Sequence, residues 1–230
     1  MKTIYETNLP HIQPTGEVFF VTFRLVDSLP KEVLKKMQDD YIFTKEEIYG
    51  KKLPKQKQEL QDQRKRYFRE FDAKLDTTKG GNHWLKIPEI AEIITKKLHE
   101  FDKIYYDLYA YTVMSNHVHV LFDFGKQIDN LPKEILEDFN NLDNLESMER
   151  FEIHYKPLYK VLNLIKGASS RYANIALKRT GTFWQKDNYD HYVRNAKELN
   201  NIVNYIIQNP VKAGIVEDWR EFPFTYLSFA

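Results

Sequence analysis

Apolar residues along this chain cluster in two ways, as short β-branched and aromatic runs and as longer stretches repeating every three to four positions. The run "EVFFVTFRL" at 17–25 lies between Pro14, Gly16 and Pro30, and predicts a buried strand. Two helices are expected over about 31–49 and 55–75, with a break at Lys79-Gly80-Gly81. In "IPEIAEIITKKLHEFD", Pro88 sits in a first turn and Ile90, Ile93, Ile94 and Leu98 recur at helical spacing, so an amphipathic helix follows. "KIYYDLYAYTVM" and "HVHVLFDF" read as two strands joined at Ser115-Asn116, a polar link suited to an antiparallel hairpin. A long helix is expected from Pro157, with Leu158, Val161, Leu162, Ile165 and Tyr172 on one side. A last helix opens at Asn195, an N-cap with Glu198 three residues on, and runs into Pro210. Strands interleaved with helices and carrying a hairpin predict an α+β fold with a mainly antiparallel sheet.

Composition narrows the class. The chain has 230 residues, 42% of them hydrophobic, and no apolar run of about 18 residues, which predicts a soluble protein with one large core rather than a membrane protein. The first residues lack the apolar run of a secretory signal, so a cytoplasmic location is expected. With no cysteine, thiol nucleophiles and zinc fingers are excluded, and any metal must rest on His, carboxylate or amide ligands. No glycine-rich turn joins a strand to a helix, which argues against dinucleotide and P-loop folds.

The net charge of +1 conceals segregation. Residues 51–69 hold eight Lys/Arg against two acids, and residues 155–214 hold ten against three, so both segments are basic faces. Basic faces with interleaved aromatics suit a phosphate backbone and base stacking, although a solvated helix face gives the same pattern. Residues 124–154 instead hold eight acids against three bases and read as an acidic insertion, a short helix followed by a flexible loop at about 140–147. One domain over 1–230, with this insertion at about 124–155, is the expected organisation.

"MSNHVHVLFDF" carries the candidate chemistry. Side chains alternate along a strand, so His117 and His119 share one face while Val118, Val120 and Phe122 share the other. Two imidazoles so placed can converge on one divalent ion, each second ring nitrogen being oriented by a hydrogen bond; the same pair also suits the polar outer face of a hairpin. A third ligand is required. On the last helix Leu199, Ile202, Val203 and Ile206 form a buried stripe, and Tyr205 and Asn209 share its margin. Read alone, they are a packing tyrosine and a helix stop, and Pro210 disfavours helical geometry at Asn209.

"SNHVHVLF", "FWQKDNYDHYVRN" and "IVNYIIQNPVKAGIV", in this order, resemble the REP-associated tyrosine transposases, a branch of the single-tyrosine HUH transposases. The resemblance extends from about Gly16 to the "FPFTYLSF" tail and includes "VFFVTFRL" and "WLKIPEIAEII"; the acidic insertion is the least typical part. It implies a ferredoxin-like (HUH) antiparallel sheet with packed helices. It implies that His117, His119 and Asn209 bind Mg²⁺ or Mn²⁺, with Gln208 as the alternative ligand, and that Tyr205 is the nucleophile, with Tyr189 or Tyr192 as fallback. The implied activity is metal-dependent nicking and strand transfer on single-stranded, REP-like hairpin DNA through a 5′-phosphotyrosine. The alternatives are a domesticated hairpin-binding protein that does not cut, and a metal-dependent hydrolase. The expected partner is hairpin DNA, bound by a nucleoid-associated monomer, a homodimer being the alternative. Lys160, Lys166, Arg171 and Lys178 are expected to track the backbone, with Phe183 and Trp184 stacking on or packing near bases.

Overall fold

The structure is a computed structural model that describes residues 4–6, 10–52, 55–140 and 145–228. Short strands β1 (Ile4–Glu6) and β2 (Pro10–Ile12) pair with each other, and β3 (Val18–Arg24) follows. Helices α1 (Lys31–Tyr49) and α2 (Lys55–Thr77) form an antiparallel hairpin, and α3 (Pro88–Glu100) leads into β4 (Asp107–Val113) and β5 (His117–Asp123). Then come α4 (Gly125–Asp129), α5 (Lys133–Asn140), α6 (Leu145–His154) and α7 (Leu158–Ala176). Strand β6 (Tyr189–Tyr192), α8 (Ala196–Lys212) and β7 (Thr225–Leu227) complete the order.

The main sheet is antiparallel throughout, in the order β6-β3-β5-β4-β7. Four adjacent strands, β6-β3-β5-β4, taken with α3 and α7, make the β-α-β-β-α-β succession of the ferredoxin-like arrangement. The α1–α2 hairpin is inserted between β3 and α3, and α4–α6 between β5 and α7.

Each face of the sheet is covered. Val118, Val120 and Phe122 point into the larger core with Ile90, Ile94 and Leu98 of α3 and Val161 and Ile165 of α7. On the opposite face Leu121 and Ala110 pack with Phe20, Phe68 of α2 and Ile206 of α8. The histidine face therefore lies beneath two helices and is not a solvated hairpin face.

Several boundaries differ from expectation for local reasons. The acidic segment holds three helices; of the loop expected at about 140–147, residues 141–144 lie outside the described residues and the rest belongs to α5 and α6. Helix α8 continues through Pro210 to Lys212, so Asn209 is helical. The proline ring leaves the Ile206 carbonyl without its helical donor, while burial of Ile206, Ile207 and Pro210 holds the last turn in place. Tyr172, expected on the buried side of α7, is 48% exposed.

The chain leaves α2 through Gly81, at φ +89°, where an added Cβ would lie 2.4 Å from the Asp27 carbonyl oxygen. Gly81→Ala is expected to cost about 1–3 kcal/mol, read as a lower urea midpoint with an unchanged m-value.

Candidate metal and tyrosine site

The site grows out of the central strand. On β5, His119 lies opposite Thr22 of β3, and His117 opposite Arg24. The histidine Nε2 atoms are 3.1 Å apart and both rings are fully buried. Their other nitrogens are fixed. His117 Nδ1–H donates to Asn116 Oδ1 at 2.6 Å, and Asn116 Nδ2 donates to the Leu75 carbonyl on α2 at 3.0 Å, which sets the amide's direction. His119 Nδ1 meets Thr22 Oγ1 at 2.7 Å. A ring that donates from Nδ1 directs its Nε2 lone pair into the cluster, the arrangement that metal ligation uses.

Two helices close over these lone pairs. From α2, Asp72 Oδ1 lies 3.1 Å from His119 Nε2 and 3.8 Å from His117 Nε2, and it has no hydrogen-bond partner. From α8, Asn209 Nδ2 lies 3.3 Å from His119 Nε2, while its buried Oδ1 has no partner. One turn earlier, the Tyr205 hydroxyl donates a hydrogen bond to Asp72 Oδ2. Asp76, one turn beyond Asp72, places Oδ1 3.8 Å from His117 Nε2.

Charge in this enclosure is strongly coupled. Burial and the neighbouring His119 drive the His117 pKa down to about 3, so the ring is neutral. Burial alone would raise the Asp72 pKa, but His119, His117 and the Tyr205 hydroxyl hold it below the usual carboxylate range. Burial and then Asp72 push the Tyr205 phenol far above its ordinary value. Asp76 is raised to about 6 by burial and by Asp72.

The donor set fits a divalent cation. Asp72, His117 and His119 each offer an atom, and these atoms all lie within 4.8 Å of one another. Donors about 2.1 Å from one ion and near right angles sit about 3 Å apart, the spacing of the two imidazoles here. A proton would relieve one lone-pair contact, whereas a divalent ion satisfies both nitrogens and the orphaned carboxylate oxygen together. Rotating the Asn209 amide by half a turn would present its orphaned oxygen to the same ion. Among the described residues, no hydrogen bond joins Gln208 to the histidines. Tyr189 is buried, stacked on Phe68 at 4.0 Å between centroids, and Tyr192 packs beneath Arg194.

Asp72 is the functional candidate that the spacing of motifs does not expose. Its signal is local: with Phe68 and Leu75 it occupies the buried stripe of α2, where an acid has no packing reason to be.

The chain is 24% identical over 161 residues to a Haemophilus influenzae protein named "Putative REP-associated tyrosine transposase", the alignment covering 65% of this chain and 81% of that one. The chain resembles a REP-associated tyrosine transposase. A solved structure of such a transposase bound to a REP hairpin aligns over 96% of this chain and 80% of that one, with 14% identity and a TM-score of 0.43. No family model matches the chain.

The expected DNA-contacting residues separate into two groups. Phe183 and Trp184 are 1% and 5% exposed and belong to the core, which corrects the stacking half of the expectation that they stack on or pack near bases. Phe183 stacks on Trp84, and Trp184 Nε1 donates to Ser169 Oγ at 2.9 Å. Trp184→Ala is expected to cost about 3–5 kcal/mol of stability, checked by urea denaturation. Lys166 turns inward, donating to the Gln185 and Lys186 carbonyls, and burial lowers its pKa to about 8; it does not track phosphates from the surface. Lys160 pairs with Glu152 at 2.8 Å. Arg171 and Lys178 are exposed on and just beyond α7. Among the described residues no helix is long and apolar enough to cross a membrane.

Proposed function

We propose that this chain cuts and rejoins single-stranded DNA at hairpin elements, with Tyr205 as the nucleophile. The observation that carries the reading is the Tyr205–Asp72–His119 contact: a phenol aimed at a carboxylate that also faces two converging imidazoles. The REP-element substrate is taken from the name of the Haemophilus relative, and its hairpin form is what the sequence resemblance implies.

In the proposed step the Tyr205 oxygen forms a bond to phosphorus and the P–O3′ bond breaks, leaving a 5′-phosphotyrosine and a free 3′-hydroxyl. The phenolic proton passes towards Asp72 Oδ2, which already accepts the hydroxyl hydrogen bond. The leaving 3′-oxygen takes a proton, and reversal with another 3′-hydroxyl rejoins the strand. Mg²⁺ or Mn²⁺ held by His117, His119, Asp72 and the Asn209 oxygen would neutralise the phosphate's non-bridging oxygens. Compared with two imidazoles and an amide, a carboxylate adds the negative charge that suits such a hard ion. Arg171 and Lys178 remain available for the DNA backbone.

The test is a denaturing gel of the protein with Mn²⁺ and labelled single-stranded hairpins from DNA flanking its gene. A protein-linked band that disappears on chelation supports the reading. Cut DNA with no adduct moves the chemistry to metal-activated water, and bound but uncut DNA leaves a hairpin-binding protein.

A further inference from the structure

The α1–α2 hairpin covers a second cavity, of about 230 Å³, beside the metal-and-tyrosine cluster. Thr22, whose hydroxyl holds His119, lines it, and so does Phe68, whose ring lies 6.0 Å from that of Tyr205. The cavity therefore begins one side chain away from the proposed point of cutting.

Its lining combines three chemistries. Tyr67 and Phe71 of α2 offer aromatic surface. Gln38 and Gln185 offer amides, and among the described residues the hydrogen bonds of Gln185 are made by its backbone, to the Arg24 carbonyl at 2.8 Å and from Lys166 at 2.8 Å, which leaves the side-chain amide for a ligand. Lys31 and Lys35 of α1, both exposed, add positive charge, and the Arg24 guanidinium lies behind them over Phe71. Aromatic faces stack on any base, amides read base edges with paired donor and acceptor, and lysines neutralise the adjoining phosphate. The cavity is of a size for a single base rather than for a base pair.

We infer that this cavity holds one unpaired base of the DNA strand next to the scissile phosphate, with Tyr67 stacking, Gln185 reading the edge, and Lys31 and Lys35 holding the flanking phosphate. The inference rests on the reading of the chain as a DNA-cutting enzyme, and gives the inserted hairpin the task of selecting the nucleotide beside the cut.

Equilibrium dialysis of the full chain against dAMP, dGMP, dCMP and dTMP, with EDTA present so that the metal site takes no phosphate, tests this. One nucleotide is expected to bind roughly five- to tenfold more tightly than the others. Gln185→Leu should bring the four within about twofold of one another. Lys35→Glu should weaken all four several-fold, whereas Lys96→Glu, a charge change on α3, should not. Equal binding of all four nucleotides by the wild type, or a base preference that survives Gln185→Leu, overturns the inference. Because the titration involves no cutting, a base preference without any protein–DNA adduct sinks the transesterase reading and leaves the pocket, and an adduct without a preference does the reverse.

Discussion

A Tyr205→Phe variant is expected to lose the protein–DNA adduct, with the cutting rate falling at least about 10³-fold, while the protein stays folded and still binds Mn²⁺. Only the hydroxyl is removed, and the ring keeps its contacts with Phe20, Phe68 and His119. Among the described residues no neighbouring tyrosine makes the same contact with a carboxylate. Tyr189 is buried and stacked against Phe68, and among the described residues it is the Tyr205 hydroxyl, not that of Tyr189, that donates to the Asp72 carboxylate. The loss of the hydrogen bond to Asp72 should cost about 1–3 kcal/mol of stability at most, which circular dichroism during urea unfolding would register. An adduct that persists in this variant would move the nucleophile to another side chain.

Asp72→Asn is expected to weaken Mn²⁺ binding about 10–100-fold or more, the range that even an outer-shell partner commands, and to slow cutting with it. The substitution keeps shape but removes the carboxylate that, among the described residues, faces both imidazoles at 3.8 Å or less and also accepts the Tyr205 hydrogen bond. Asp76→Asn is the comparison. Asp76 comes within 4 Å of His117 but not of His119, and its side chain is 21% exposed, so a smaller change is expected. Titration of the metal-free protein with Mn²⁺, followed by calorimetry, separates the outcomes. Unchanged affinity in Asp72→Asn alongside slowed cutting would restrict Asp72 to orienting the phenol and accepting its proton.

Local signals in the chain were readable where one element's own residues decide it. The alternation that put both histidines on one face is a property of the strand, and the Asn195 side chain accepts from the Glu198 amide as the capping pattern implies. The i, i+4 pairing of Tyr205 and Asn209 needed only helical geometry, and it persisted because tertiary burial outweighed the proline's local preference. What could not be read depends on pairing over long separations. Strand β6 has four residues and little alternating pattern, and becomes a strand because it pairs with β3. Asp72 joins the cluster from 45 positions before His117, across an insertion whose docking no local pattern encodes. Phe183 and Trp184 looked available for bases because they sit in a basic, polar segment, yet Trp184 bridges to Leu25 and both side chains fill the core.

The hydrogen bond from Asn116 to the Leu75 carbonyl joins the β4–β5 link to α2 at the point where His117 is also gripped. Occupancy of the site and seating of the α1–α2 hairpin are thus one linked equilibrium, since a ligand that needs Asp72 binds only the seated form. Each tenfold excess of such a ligand over its dissociation constant would add about 1.4 kcal/mol to the seated form, and amide protons along α2 would exchange more slowly in proportion. The inserted hairpin would then act as an occupancy gauge, its exchange rate reporting how full the site is before any strand is cut.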